Sequence, residues 1–360
     1  MAPSRPRVHA VVLAGGSGQR FWPKSRKARP KPLLRAVGGE TLIGATLARA
    51  ARFSPPERRW LVCARDHETA MRREAGLPGR QVVVEPRGRN TAMAAGVAAT
   101  RIVAEDPNAV LAILPADHVI PDARAFAAAI RKAARAAAAA DVLVTLGVRP
   151  TRAETGYGYV RVGPPAPGHA GLHRVGRFVE KPDAARARRY LRGGKHLWNA
   201  GIFVWRARTF LDELALHAPA VHRALAPVRK APRGRGSRAA LEAAYRRAPS
   251  VSVDVAVLEP SRRVWTLPLD FHWNDVGTWD SLARELGVRG GESRIVAGRA
   301  ILDDSSGNLV WGEGRLVVLL GVEGLAVIDT PDALLVTRLD RSPEVKRVVE
   351  RLARERRDLV

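Results

Sequence analysis

Cysteine is almost absent from this sequence: Cys63 is the one thiol among 360 residues. A single thiol excludes an internal disulfide framework and fits a reducing compartment, so a cytoplasmic location is expected. Cys63 stands in the strand-like run Trp60-Leu-Val-Cys63 and reads as a core residue. No apolar run approaches the ~20 residues of a membrane-spanning helix, and no membrane partner is expected. The start of the chain is basic, but its short apolar run stops at glycines, which argues against a secretory signal. Acidic residues are scarce, 35 Asp+Glu against 60 Lys+Arg, for a formal charge of +25. Such a balance suits nucleic acid or an anionic membrane. The excess is nearly all arginine, however, scattered beside frequent alanine, and neither a zinc-finger nor an RRM signature accompanies it. No nucleic-acid partner is expected; a cationic surface would still gather anionic nucleotides and sugar phosphates.

What remains is a soluble globular composition, 46% hydrophobic and 26% charged, with room for one large or two ordinary domains. Residues 8–34 organise the rest. Val8–Leu13 is a short apolar segment suited to a buried strand. It empties through Ala14 into Gly15, Gly16 and Gly18, where backbone N–H groups can approach a phosphate closely. Arg20 follows, and Lys31 lies between two prolines. A glycine nest with two held cations is what a triphosphate needs. A Walker loop would require Gly-Lys-Ser/Thr after four spacers, and a dinucleotide fingerprint a third glycine where Phe21 stands; neither is present.

Downstream, strand and helix patterns alternate. Trp60–Cys63, Gln81–Glu85, Ala109–Leu114 and Val142–Gly147 read as strands, with helices at about 90–105 and 122–140. The alternation predicts parallel strands with right-handed crossovers in a Rossmann-like α/β domain. Ligands in such sheets bind beyond the carboxyl ends of the strands, where the glycine loop falls. Asp117, in Pro115-Ala-Asp117-His118, ends one apolar run and suits a divalent cation; capping the next helix would use it equally well. Asp275, in Trp273-Asn-Asp275-Val-Gly277, sits beside another apolar run. As strands of one sheet, the two runs would bring both carboxylates to one edge.

The string Gly-Gly-x-Gly-x-Arg-x-x-Pro followed by Pro-Lys-Pro resembles the signature of sugar-1-phosphate nucleotidyltransferases. Glu85-Pro86-Arg-Gly-Arg-Asn90-Thr-Ala resembles the guanine-bordering loop of mannose-1-phosphate guanylyltransferases, with Met93 where that family carries proline. Helix capping alone would also explain Asn90 and Thr91. Thr155-Gly-Tyr-Gly158-Tyr, Phe178-Val-Glu180-Lys181-Pro and Trp198-Asn199-Ala-Gly resemble the family's sugar-side motifs and follow in its order. In isolation, the first would pass for a hairpin turn and Glu180-Lys181 for a surface charge pair. Ser252-Val-Asp254-Val-Ala-Val-Leu-Glu259 resembles a further family string, with Val255 in place of tyrosine. Residues 228–238 read as a solvated basic loop without assigned function.

The resemblance implies a mixed, mostly parallel nucleotidyltransferase (GT-A-like) domain over residues 1–288, with a small β-helix-like module over 289–360. That module is expected as short strands between 300 and 338, then a basic helix from about Pro343 to Arg357. Bifunctional relatives continue into a cupin isomerase domain, which is not expected here. The implied reaction is GTP plus α-D-mannose 1-phosphate giving GDP-mannose and pyrophosphate. Arg20 and Lys31 would be catalytic; Leu13, Ala14, Gly15, Gly16, Gly18, Glu85, Pro86, Asn90 and Asp117 would bind nucleotide. Gly158, Glu180, Lys181 and Asn199 would bind sugar phosphate, and Asp117 and Asp275 would hold Mg²⁺. A homodimer is the expected assembly. The alternatives are a related enzyme for another sugar 1-phosphate or nucleotide, and a regulator that binds a nucleotide-sugar without turnover.

Overall fold

The computed structural model describes residues 6–16 and 18–360; residues 1–5 and Ser17 of the glycine loop lie outside the described residues. The chain forms two compact units. The first runs to Gly15 and takes in Thr46–Ala116 and Ile120–Trp273; the second comprises Gly16–Ala45, Asp117–Val119 and Asn274–Val360.

The first unit is built on a nine-stranded sheet. Its strands are β1 (Val8–Ala14), β2 (Arg59–Ala64), β3 (Val82–Glu85), β4 (Val110–Pro115), β5 (Leu143–Val148), β6 (Tyr159–Pro165), β7 (His173–Val179), β8 (His196–Arg206) and β9 (Val264–Leu269), in the order β3-β2-β1-β4-β8-β5-β9-β7-β6. β3, β2, β1 and β4 run parallel. Their side chains are buried nearly throughout, which is why these segments read as continuous Val/Leu/Ile runs instead of alternating. β8 then enters antiparallel to both β4 and β5. Parallel pairing returns for β5–β9, and β6 and β7 complete a mixed sheet. The crossover helix Asn90–Val103 packs on the parallel half through small residues, with Ala92, Ala95, Ala98 and Ala99 fully buried. Asp122 caps the helix Ala123–Ala140, accepting from the Arg124 and Ala125 amides at 3.0 and 2.8 Å.

Register along β8 matters for the site. Phe203 pairs with Thr145 and Asn199 with Gly147, so two extra residues of β8 are accommodated between these pairs. The irregularity lies next to Asn199, and bulges of this kind re-aim side chains.

The second unit carries a four-stranded sheet, β10 (Arg294–Asp303), β11 (Leu309–Leu320), β12 (Leu325–Thr330) and β13 (Ala333–Arg338), parallel except for β12–β13. The apolar runs Leu309–Trp311 and Leu316–Leu320 are separated in sequence by Gly312-Glu-Gly-Arg315. They join in one strand that runs through Gly312-Glu-Gly314, where Gly314 takes φ 138°. The core of this unit includes Phe21 and Trp22, straight after the glycine loop, with Trp279 and Trp311. The Phe21 and Trp279 rings lie 4.8 Å apart, and Trp279 Nε1 donates to the Trp22 carbonyl at 3.2 Å. The amphipathic helix Val345–Glu355 closes the core with Val345 and Val349. Among the described residues, no helix is long and apolar enough to cross a membrane.

Candidate active site

In the second unit, Gly18 and Lys31 come together because one of them has no side chain. Gly18 has φ 57°, in the left-handed region; a Cβ there would stand 2.6 Å from Lys31 Cβ and 2.7 Å from Ser25 Oγ. Glycine lets the loop close onto the short turn Lys31–Leu33, which begins after Pro30. Lys31 is 7% exposed, so its ammonium needs partners. Nζ donates to Asp117 Oδ2 at 2.6 Å and to the main-chain carbonyl of Asp275 at 2.8 Å, and lies 5.4 Å from the Phe21 ring centroid. Burial opposes ionisation of Asp117, yet the Lys31 ammonium and His118 pull its carboxyl below the usual carboxylate range. Asp117 is therefore an anion held against a cation, and the helix that follows is capped by Asp122 instead.

Asp275 arrives by a different route from the one expected. Its preceding strand, β9, already ends at Leu269. An isolated antiparallel bridge does the work: Val119 N donates to the Asn274 carbonyl at 2.8 Å, and Asn274 N returns the bond at 3.0 Å. This pair brings the residue after Asn274 to the segment that carries Asp117. Asn274 Oδ1 then accepts from Val276 N at 2.8 Å, across a turn in which Val276 adopts φ 45°. A β-branched residue in the left-handed region is strained, and it is held here by burial of its side chain in the core.

A cleft of about 340 Å³ collects Gly18, Arg20, Lys31, Asp117, His118 and Asp275. Arg20 is exposed and makes no ion pair with a described residue. Lys346, from the C-terminal helix, reaches the same cleft. Sequence reasoning missed it, for it belongs to no motif. Among the described residues no group of three His, Cys, Asp or Glu could hold a metal ion. Two hard carboxylates, Asp117 ionised and Asp275 packed 3.0 Å from where a Gly277 Cβ would stand, suit a hard divalent cation.

The nucleotide-side residues expected on the first unit cluster at the ends of β1 and β3. Leu13 is half-buried, Ala14 buried and Gly15 exposed; Gly16, the first residue of the second unit, is exposed too. A Gly15 Cβ would lie in ordinary contact, 3.5 Å from Glu85 Oε2. Glu85 is buried, and burial pushes its carboxyl up to about 7 against the opposing hydrogen bond from Tyr245, whose hydroxyl donates to Oε1 at 3.0 Å. Pro86 is half-buried. Asn90 is exposed with φ 63°, and its Oδ1 accepts from the adjacent Thr91 amide at 2.8 Å. Thr91 Oγ1 accepts from Val253 N at 2.9 Å. Thr91 therefore ties the helix start to the 251–253 segment, and neither side chain supplies an ordinary cap.

The sugar-side residues also meet within the first unit. A Cβ on Gly158 would stand 2.6 Å from Glu180 Oε2 and 3.3 Å from Asn199 Cβ, so glycine admits both. Asn199 N donates to the Gly158 carbonyl at 2.8 Å. Lys181, with φ 45°, turns back to pair with Glu180 Oε1 at 3.0 Å. Asn199 Oδ1 accepts from Thr145 Oγ1 at 2.8 Å, and its Nδ2 donates to Asp254 Oδ1 at 2.8 Å. Burial, then the Glu180 charge, pushes Asp254 up to about 7. Asp254 opens a π-helical turn, a feature common at functional sites. Its string was noticed in the sequence, but no role followed, because nothing local reveals that it orients Asn199. Tyr157 stands edge-on to Trp198 and Trp273 at 5.2 and 5.5 Å, and adds an aromatic wall.

Residues 9–286 match the nucleotidyl transferase family, and residues 298–352 match the MannoseP isomerase/GMP-like beta-helix domain. The alginate biosynthesis protein AlgA of Pseudomonas aeruginosa is 38% identical over 346 residues, covering 95% of this chain and 71% of that protein. A mannose-1-phosphate guanylyltransferase of Escherichia coli is 35% identical over 352 residues, covering 96% and 74%. A solved structure from Thermus thermophilus, named a mannose-1-phosphate geranyltransferase, superposes with TM-score 0.88 at 37% identity, covering 96% of this chain and 99% of that one.

Proposed function

The chain belongs to the nucleotidyl transferase family, and on that footing we propose that it transfers GMP from GTP to α-D-mannose 1-phosphate, giving GDP-mannose and pyrophosphate. The observation that carries the chemistry is one cleft holding Gly18, Arg20, Lys31, Asp117 and Asp275, residues drawn from three distant stretches of chain. A phosphate oxygen of the sugar phosphate attacks the α-phosphorus of GTP in line; the new P–O bond forms as the bond to the β-phosphate oxygen breaks, and pyrophosphate leaves. The phosphate monoester is already anionic at neutral pH, so no strong general base is required. The burden is to hold two anions together and to stabilise charge at the α-phosphate.

Arg20 and Lys31 supply that neutralisation. Asp117 and Asp275 would hold Mg²⁺, which when bound offsets phosphate charge. Leu13, Ala14 and the glycines bind the nucleotide by main chain, and the Glu85 carboxylate accepts from guanine N–H donors, with Pro86 and Asn90 completing that loop. Lys181 holds the sugar's phosphate; Glu180 and Asn199 grip its hydroxyls over Gly158, and Asp254 fixes the Asn199 amide. Residues 1–288 form the catalytic domain and 289–360 the accessory module. We place the protein in the cytoplasm, with no nucleic-acid or membrane partner, as a homodimer. Exposed Ile301, Val318 and Leu320 on the C-terminal sheet support self-association, since apolar clusters of this kind commonly mark interfaces.

Product identification tests the proposal. GTP and mannose 1-phosphate with Mg²⁺ should yield GDP-mannose by mass spectrometry. No nucleotide-sugar from any NTP and sugar 1-phosphate would instead indicate a binding protein without turnover.

A further inference from the structure

The basic stretch 228–238 is part of a built cleft. In the first unit, a cavity of about 400 Å³ is lined by Arg65, Arg80, Arg101, Arg233 and Arg238, with Glu68 as the one carboxylate on its wall. Arg65 pairs with Glu242 and Arg233 with Glu105, while Glu68 accepts from Arg72 at 3.4 Å. Arg80 and Arg101 pair with no carboxylate among the described residues. Arg101 is 8% exposed, on the helix Asn90–Val103, and its Nε is shut off from solvent with no acceptor. Arginine is almost never buried so far without a partner. Burial, with Arg233 repelling it, pushes its pKa down, and burial with repulsion from Arg80 does the same to Arg233. Cations gathered this way repel unless an anion joins them.

The remaining wall is apolar. Val82, Val84 and Leu241 line it, and the Arg233 guanidinium lies 5.7 Å from the Trp60 ring centroid. Guanidinium forks match phosphate geometry, and the apolar wall suits an organic body. We propose that this cleft binds a phosphate-bearing small molecule, at a site that shares no lining residue with the Lys31–Asp117 cleft. Pro86 of the proposed guanine loop also lines it, so the cleft borders that loop while its arginines take no part in the proposed guanylyl transfer.

Arginine modification by phenylglyoxal, read peptide by peptide by mass spectrometry, tests the site on the full chain. Inorganic pyrophosphate probes phosphate alone and GMP adds an organic body, with sodium chloride matching ionic strength. Arg80, Arg233 and Arg238 should react about tenfold more slowly at ten times the probe's dissociation constant. Exposed Arg338 and Arg341 should react unchanged. Protection should persist in Lys31→Ala and vanish in Arg101→Gln. Should Arg101→Gln fail to fold, Arg238→Gln, at an exposed position, makes the same comparison. Absence of protection with both probes, or protection spread equally to Arg338 and Arg341, would overturn the site.

Discussion

The Lys31 ammonium donates to the Asp117 carboxylate at 2.6 Å across 86 residues of sequence. The pair sets the charge of the cleft, an ionised acid beside a cation, and in the proposed reaction these would meet a divalent cation and the transferring group. It also distinguishes Lys31 from Lys181, which is exposed and pairs with its own neighbour, Glu180.

Lys31→Ala should lower kcat by about a hundredfold or more, the scale seen when a group that meets developing charge is removed. Lys181→Ala should mainly raise KM for the sugar phosphate, since in the proposed role that lysine would bind the ground-state anion equally. Steady-state kinetics of both variants check this; unchanged KM in Lys181→Ala would remove it from the site.

The two acids should part in stability while agreeing in activity. Asp117→Asn and Asp275→Asn should each reduce turnover severely, and EDTA should do the same to the unmodified enzyme. Asp117→Asn should also lower the melting temperature, because it leaves the buried Lys31 ammonium without its countercharge. Lys31 meets Asp275 through the main-chain carbonyl, which asparagine keeps, so Asp275→Asn should leave that hydrogen bond in place and cost Lys31 less than Asp117→Asn does. Full turnover in EDTA would sink the metal assignment.

Glu85 gives a pH signature. Its carboxyl is raised to about 7 in the fold, so the protonated form is favoured there. The stability this contributes is complete below the ordinary glutamate pKa of about 4.3 and is lost as pH rises through about 7. Glu85→Gln should therefore flatten the decline in stability between those limits. Guanine N–H donors need the ionised acceptor, so GTP affinity should rise through the same window in the parent and stay flat in Glu85→Gln. Calorimetric titration at several pH values reads the affinity, and melting curves over the same range read the stability.

Lys346→Ala should raise KM for GTP severalfold and leave the melting temperature nearly unchanged. Its ion pair to Glu350 at 3.5 Å joins two half-exposed side chains, and such pairs contribute little. Unaltered kinetics would show that the C-terminal helix only packs against its own unit.

Much of this was legible in the residues, and the parts that were not share a cause. The parallel strands showed themselves as apolar runs, and the motif strings pointed to Lys31, Glu85, Asp117, Glu180 and Asn199. The place of β8 in the sheet, antiparallel between β4 and β5, could not be read, because its partners are set by non-local pairing. The route of Asp275 was missed for the same reason: the Val119–Asn274 bridge joins segments 155 residues apart, that is 274 minus 119. Lys346 and Arg101 carry no local signature, and the string around Asp254 gives no role, since their character comes from burial and from neighbours brought by the fold.

Guanylyl transfer to mannose 1-phosphate is tested most directly by pyrophosphate release over a grid of nucleoside triphosphates and sugar 1-phosphates. GTP with mannose 1-phosphate should give the highest kcat/KM of the grid. A higher value for dTTP or UTP with glucose 1-phosphate would contradict the assignment.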